Sequence, residues 1–174
     1  MPFTASSVLV SRAYRLLLLL LAGVGEVWSY PDYVPQTTCK WMAPKHDPYG
    51  EPAPGPPPYR LVTYHPRVLS EMPVPVCLVG ALPLMGFMIQ AQDENGVSLG
   101  SWIVDDPKVG QTMNCTMAED TVTHVSKQHK QVVSFHWLPP ANYSGTIVFK
   151  AVVVKEYSTF WTDITSKTFS VHHL

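Results

Sequence analysis

Twelve of the chain's 17 prolines fall between Pro31 and Pro75. Proline has no N–H to donate and its ring blocks the preceding helical turn, so no helix can run through this segment. Pro52, Pro54, Pro56, Pro57 and Pro58 favour extended or polyproline geometry. Disordered tracts of such composition usually lack large apolar side chains. Here Trp41, Met42, Tyr49, Tyr59, Leu61 and Tyr64 supply them, which points to irregular chain lying against a core.

Beyond Pro75 the pattern changes to short apolar runs divided by turn residues, the spacing of an all-β sandwich. Strands are expected over 74–80 and 86–92, with Phe87, Ile89 and Ala91 inward and Met88, Gln90 and Gln92 on a partly wet face. Asp93-Glu94-Asn95-Gly96 turns the chain, a strand follows over 97–104, and Asp105-Asp106-Pro107 stops it. The clearest alternation spans 131–137, with Val133, Phe135 and Trp137 on one face and Val132, Ser134 and His136 on the other. After Pro139–Gly145 a strand over 146–155 is apolar on both sides, which predicts a central or covered position. Residues 157–163 and 167–171 supply the remaining β-structure. No segment past the first 29 residues sustains a helical period.

Residues 16–24, Leu-Leu-Leu-Leu-Leu-Leu-Ala-Gly-Val, follow Arg12 and Arg15 and lead into Val27-Trp28-Ser29-Tyr30. A positive flank, a short apolar core and small residues read as a cleaved secretory leader over 1–29, followed by one domain over 30–174. The apolar run is far shorter than the ~20 residues that span a bilayer. Export places the product in an oxidising, extracellular setting. Removal of the leader takes away Arg12, Arg15 and Glu26 and leaves ten basic side chains against twelve acidic ones, a balance of about −2. That balance argues against nucleic-acid partners, which require a basic stripe, and against insertion into anionic membranes, which requires a cationic amphipathic face. The ending Val171-His172-His173-Leu174 carries no apolar tail for an anchor, so a soluble, released product is expected.

Three cysteines remain, Cys39, Cys77 and Cys115, and spacing alone permits any of three pairings. Cys77 lies in the apolar run Val74–Val79 and reads as a small buried thiol, whereas Cys39 and Cys115 have polar neighbours. This favours a Cys39–Cys115 bridge, which would constrain the unfolded chain by roughly 2–4 kcal/mol. The alternative makes Cys77 an intermolecular thiol.

Catalytic and metal chemistry find little support. The seven histidines lack ligand spacing: His124 and His129 are five apart in strand and turn, His136 and Trp137 face opposite ways, and His172 and His173 are adjacent at the terminus. No His-Glu-X-X-His occurs. Asp93-Glu94, Asp105-Asp106 and Glu119-Asp120 are neighbours in turns, where carboxylates are ordinarily solvated rather than paired for acid–base work. No cofactor, metal or catalytic residue is therefore expected. Two N-glycosylation sequons occur, Asn142-Tyr143-Ser144 in an open turn and Asn114-Cys115-Thr116 beside a cysteine, with Asn142 the better acceptor. Trp41, Tyr49, Tyr59 and Trp102 are candidate stacking surfaces for a ligand, against the plainer reading that they pack the proline-rich segment.

A family likeness runs through these same residues. Cys39-Lys40-Trp41-Met42-Ala43-Pro44-Lys45-His46, Pro56-Pro57-Pro58-Tyr59 and Gly86-Phe87-Met88-Ile89-Gln90-Ala91 resemble the opening half of a reeler (reelin-type) domain. Gly100-Ser101-Trp102, Cys115, Val122-Thr123-His124, Val133-Ser134-Phe135-His136-Trp137-Leu138-Pro139-Pro140, Gly145-Thr146-Ile147-Val148-Phe149 and Tyr157-Ser158-Thr159-Phe160-Trp161 resemble its second half, in order. The resemblance implies an immunoglobulin-like β-sandwich and, independently of spacing, a Cys39–Cys115 bridge; Cys77 departs from the family pattern. Such domains occur in matrix proteins of the reelin and spondin type, in membrane ferric reductases and as single-domain secreted defence proteins of arthropods. This chain is similar to the last architecture. The expectation is a secreted, non-enzymatic protein of innate immunity that binds bacterial surface components or extracellular proteins, the alternative being a matrix or developmental adhesion module.

Overall fold

The computed structural model describes residues 34–46, 48, 50–64 and 67–173. The leader over 1–29 and Tyr49 lie outside them. Eleven strands and one short 3-10 turn, Gln36–Thr38, are present among the described residues.

Strands β1 (Tyr59–Thr63), β3 (Val74–Leu84), β8 (Lys130–Leu138) and β5 (Ser101–Ile103) form a four-stranded sheet in the order β1-β3-β8-β5. The second sheet contains β2 (Arg67–Leu69), β11 (Phe169–His172), β9 (Gly145–Glu156), β4 (Gly86–Gln92), β7 (Thr121–His124) and β6 (Gly110–Met113) in the order β2-β11-β9-β4-β7-β6. Strand β10 (Thr159–Thr165) also pairs with β9. All pairings are antiparallel except β2 with β11. The two sheets enclose one core in an all-β, immunoglobulin-like sandwich.

Strand periodicity explains the core directly. On β8, Val133, Phe135 and Trp137 are buried while Val132 and Ser134 face water. Opposite them, β9 contributes Ile147, Phe149, Ala151 and Val153, all fully enclosed. Aromatic rings join the layers: Phe87 meets Phe135 at 5.5 Å between centroids, Trp137 meets Phe149 at 5.5 Å, and Tyr59 meets Trp161 at 5.4 Å. The two-sided apolar character of β9 fits its place between β4 and the strands β10 and β11.

Several sequence expectations change here. The proline-rich half is not wholly irregular, since its last residues form β1 against β3. Strand β3 continues through Pro83 to Leu84, and the run expected over 97–104 shortens to β5, with Ser98 bridging Gln92. Neither face of β4 is wet before Gln92: Met88 and Gln90 are buried along with Phe87 and Ile89. The cover is the segment around the 3-10 turn, which lays Cys39 and Met42 over Met88 and Val152.

Gly100 marks a tight point. Its φ is +73°, and a Cβ there would come within 2.4 Å of Trp137 Nε1 and 2.5 Å of the Leu138 carbonyl oxygen. Glycine alone lets the backbone pass beside Trp137, whose indole N–H donates to the Leu99 carbonyl at 2.9 Å.

Candidate functional surface

Cys39 and Cys115 form a disulfide with their Cα atoms 5.4 Å apart. The surroundings are apolar, not polar as their sequence neighbours suggest: Met42, Met88 and Val152 are buried there, and Val34 and Met113 pack against them. Methionine suits this gap because its unbranched thioether adapts to irregular space. The bridge pins the N-terminal segment to the outer face of β4 and β9.

Asp120 holds the other end of that bridge. It sits at zero exposure, a correction to its sequence reading as a solvated turn acid. Its Oδ1 accepts the Cys115 N–H at 2.8 Å and the Thr121 hydroxyl at 3.2 Å. Its Oδ2 accepts the Ser98 hydroxyl at 2.6 Å and the N–H groups of Thr116 and Met117 at 2.7 and 2.9 Å. Burial by itself pushes the carboxyl upward, but these donors outweigh it and hold the group below the ordinary carboxylate value. The Asp120 carbonyl in turn accepts the Trp102 indole N–H at 3.1 Å. Sequence reasoning missed this knot; its only trace is an aspartate shortly after a cysteine, followed by a strand.

The three candidate aromatics among the described residues, Trp41, Tyr59 and Trp102, separate by burial. Trp102 is 2% exposed and packs on Phe149, and Tyr59 is buried with its hydroxyl donating to the Pro83 carbonyl at 3.1 Å. Both therefore serve the core and are corrected as contact residues. Burial also raises the Tyr59 phenol above its usual value. Trp41 is different: it is 67% exposed, between bridged Cys39 and buried Met42, whose φ is +43°. Fixed on both sides, the turn thrusts the indole outward, with the Lys40 ammonium 4.8 Å above the ring.

Asn142 is exposed at the tip of the β8–β9 connection with φ +58°. Asn114 is exposed as well, but its Oδ1 accepts the Glu119 N–H at 2.8 Å and its carbonyl accepts the Gln36 amide at 2.9 Å. Beside Asn142 an open depression of about 230 Å³ is lined by Asp93, Glu94, Asn95, Tyr143, Gly145 and Thr146. Asp93 Oδ1 is committed to the N–H groups of Asn95 and Val97, which shapes the turn and lowers its carboxyl. No nucleophile and base meet there.

Cys77 is a free thiol and is half-buried, not enclosed in the core. The period of β3 explains the correction: Val74, Val76 and Leu78 point inward, so Cys77 points outward, with its Sγ 3.4 Å from Ser134 Oγ. On the same face His136 Nδ1 lies 2.9 Å from Asp105 Oδ2. Among the described residues no three His, Cys, Asp or Glu side chains converge as a metal set, and no helix is long and apolar enough to cross a membrane.

Comparison with known proteins agrees with this architecture. The Reeler domain family model matches residues 37–174. The chain is 32% identical over 161 residues to Defense protein l(2)34Fc of Drosophila melanogaster, across 91% of this chain and 99% of that protein. A relative from Bombyx mori, also named as a defense protein, is 31% identical over 157 residues, across 86% and 89%. Among solved structures, the human F-spondin reeler domain superposes with a TM-score of 0.60 at 18% identity, covering 71% of this chain and 96% of that one, a likeness of fold. A bridged, two-sheet body matched from residue 37 to the end thus belongs to the Reeler domain family.

Proposed function

We propose that the chain is a secreted defence protein that acts on bacteria by binding a surface component and performs no catalysis. The observation that carries this reading is collinearity: the match to the Drosophila defence protein extends over 99% of that protein, so the likeness is one of whole architecture and not of a shared module. The leader read over 1–29 and the Cys39–Cys115 bridge support an oxidising, extracellular setting. In the same setting Asn142, exposed on its turn, is the preferred N-glycan acceptor over Asn114, whose side chain is held within its own loop.

Trp41 with Lys40 is the contact best suited to a surface polysaccharide. An exposed indole offers a flat apolar face to a sugar ring, and the adjacent ammonium favours anionic substituents. Pull-down on immobilised bacterial surface polysaccharides tests this, with Trp41→Ala and an unrelated secreted β-sandwich as comparators. Enrichment lost in Trp41→Ala is the expected result. No enrichment over the unrelated protein removes the recognition claim, and transcript constant through bacterial challenge but tied to tissue formation turns the reading to the matrix alternative.

A further inference from the structure

The outer face of the four-stranded sheet is the wrong composition for a surface that only meets water. Register places Arg60, Val79 and Val132 in one row across β1, β3 and β8, and Val62, Cys77 and Ser134 in the next. Pro75, His136 and Ile103 form a third row that reaches β5. Outer faces of sandwiches ordinarily carry the polar half of each alternation. Here Val132 is 55% exposed and Ile103 41%, with Val62, Val79, Pro75 and Cys77 half-buried between them. The charges stand at opposite edges: exposed Arg60 on β1, and Asp105 just beyond β5, its side chain 59% exposed and its Oδ2 2.9 Å from His136 Nδ1.

We propose that this face docks a second copy of the same chain about a two-fold axis running along the strands between β3 and β8. That operation lays β1 of each copy over β5 of the other. Continuing β5 two residues past its last pair, Ile103 with His136, puts the other copy's Asp105 one row, roughly 7 Å along the strands, from Arg60, within reach of an arginine side chain that shares the carboxylate with His136. Val132 covers the other copy's Val79. Cys77 covers the other copy's Ser134, and the interface is self-complementary in both charge and apolar surface.

Geometry also says what becomes of the unpaired thiol. With strands ~4.8 Å apart and sheets packed ~10 Å face to face, the two Cys77 Cα atoms stand about 11 Å apart, beyond the ~7 Å limit for a disulfide. The pair is non-covalent, and each thiol is covered by its partner in an environment that would otherwise oxidise it. The face measures about 19 by 17 Å, some 300–400 Å² per copy, short of the ~800 Å² of a standard interface. Association on the order of 10–100 μM is therefore expected.

The test uses the whole chain expressed in cultured eukaryotic cells and purified without reductant. Sedimentation velocity between about 5 and 500 μM should show mass moving from monomer to dimer, with alkylation of Cys77 by iodoacetamide slowing at least about threefold at the upper end. Val132→Lys and Arg60→Glu should each weaken association by about tenfold or more, and Arg60→Glu with Asp105→Arg should return it to within about threefold. Monomer throughout, a dimer indifferent to both single variants, or a dimer that exists only as a Cys77–Cys77 disulfide would each overturn the proposal.

Discussion

Replacing Asp120 by Asn keeps the shape of the side chain and removes one of its two acceptors. Either orientation of the new amide sets an NH2 group against backbone donors: against Cys115 N–H if it takes the place of Oδ1, against Thr116 and Met117 N–H if it takes the place of Oδ2. The first orientation is the cheaper, since Thr121 can rotate its hydroxyl to accept while Cys115 N–H cannot adjust. One orphaned backbone donor costs about 1–3 kcal/mol, and converting the remaining charge-assisted bonds to neutral ones costs about 1 kcal/mol more. Relief from burying a charge offsets part of that, so Asp120→Asn should lose about 1–3 kcal/mol at pH 7. Urea unfolding with the disulfide intact measures it. The pH dependence has a definite sign: the folded carboxyl titrates below its unfolded value of about 3.9, so its contribution is complete above that pH and fades as pH falls through the folded value. The gap between wild type and Asp120→Asn should therefore close on acidification below about pH 4. A variant within about 0.5 kcal/mol of wild type at pH 7, or a gap that widens in acid, would refute the reasoning.

Other perturbations follow from the same contacts. Gly100→Ala should cost about 2–4 kcal/mol in urea unfolding, because the new Cβ meets Trp137 and the backbone keeps a positive φ. Converting Cys39 and Cys115 together to Ala should cost about 2–4 kcal/mol and make the N-terminal segment the first site of limited proteolysis, with the β-sheet circular dichroism retained. Phe149→Ala, in the middle of contacts with Trp102, Trp137 and Phe169, should cost about 3–5 kcal/mol and lower the thermal midpoint accordingly. Asn142→Gln should lower the mass of the product from eukaryotic cells by one N-glycan, while enzymatic deglycosylation leaves the variant unchanged.

Legibility followed the range of the interactions. Strand β8 could be read almost to its ends because Val133, Phe135 and Trp137 alternate with polar or exposed neighbours, a signal contained in nine residues. The short strands β2, β6 and β7 carry too few residues for a period and exist through their partners. Cys77 shows the limit from the other side: its apolar neighbours suggested burial, yet one step along a strand reverses the face. Asp120 shows it again, since five donors from separate residues converge on it only once the loop before β7 has closed.

Composition and local order by themselves determined the class of fold, the exclusion of helix from the proline-rich half and the inward face of the long strands, because proline chemistry and a two-residue period act within a few bonds. Tertiary structure alone decided that the N-terminal segment roofs Met88, that Trp41 faces water while Trp102 does not, and that an apolar face surrounds Cys77. Those outcomes depend on which distant segments cover which side of a sheet, and burial is a property of the neighbours that arrive, not of the residue they cover.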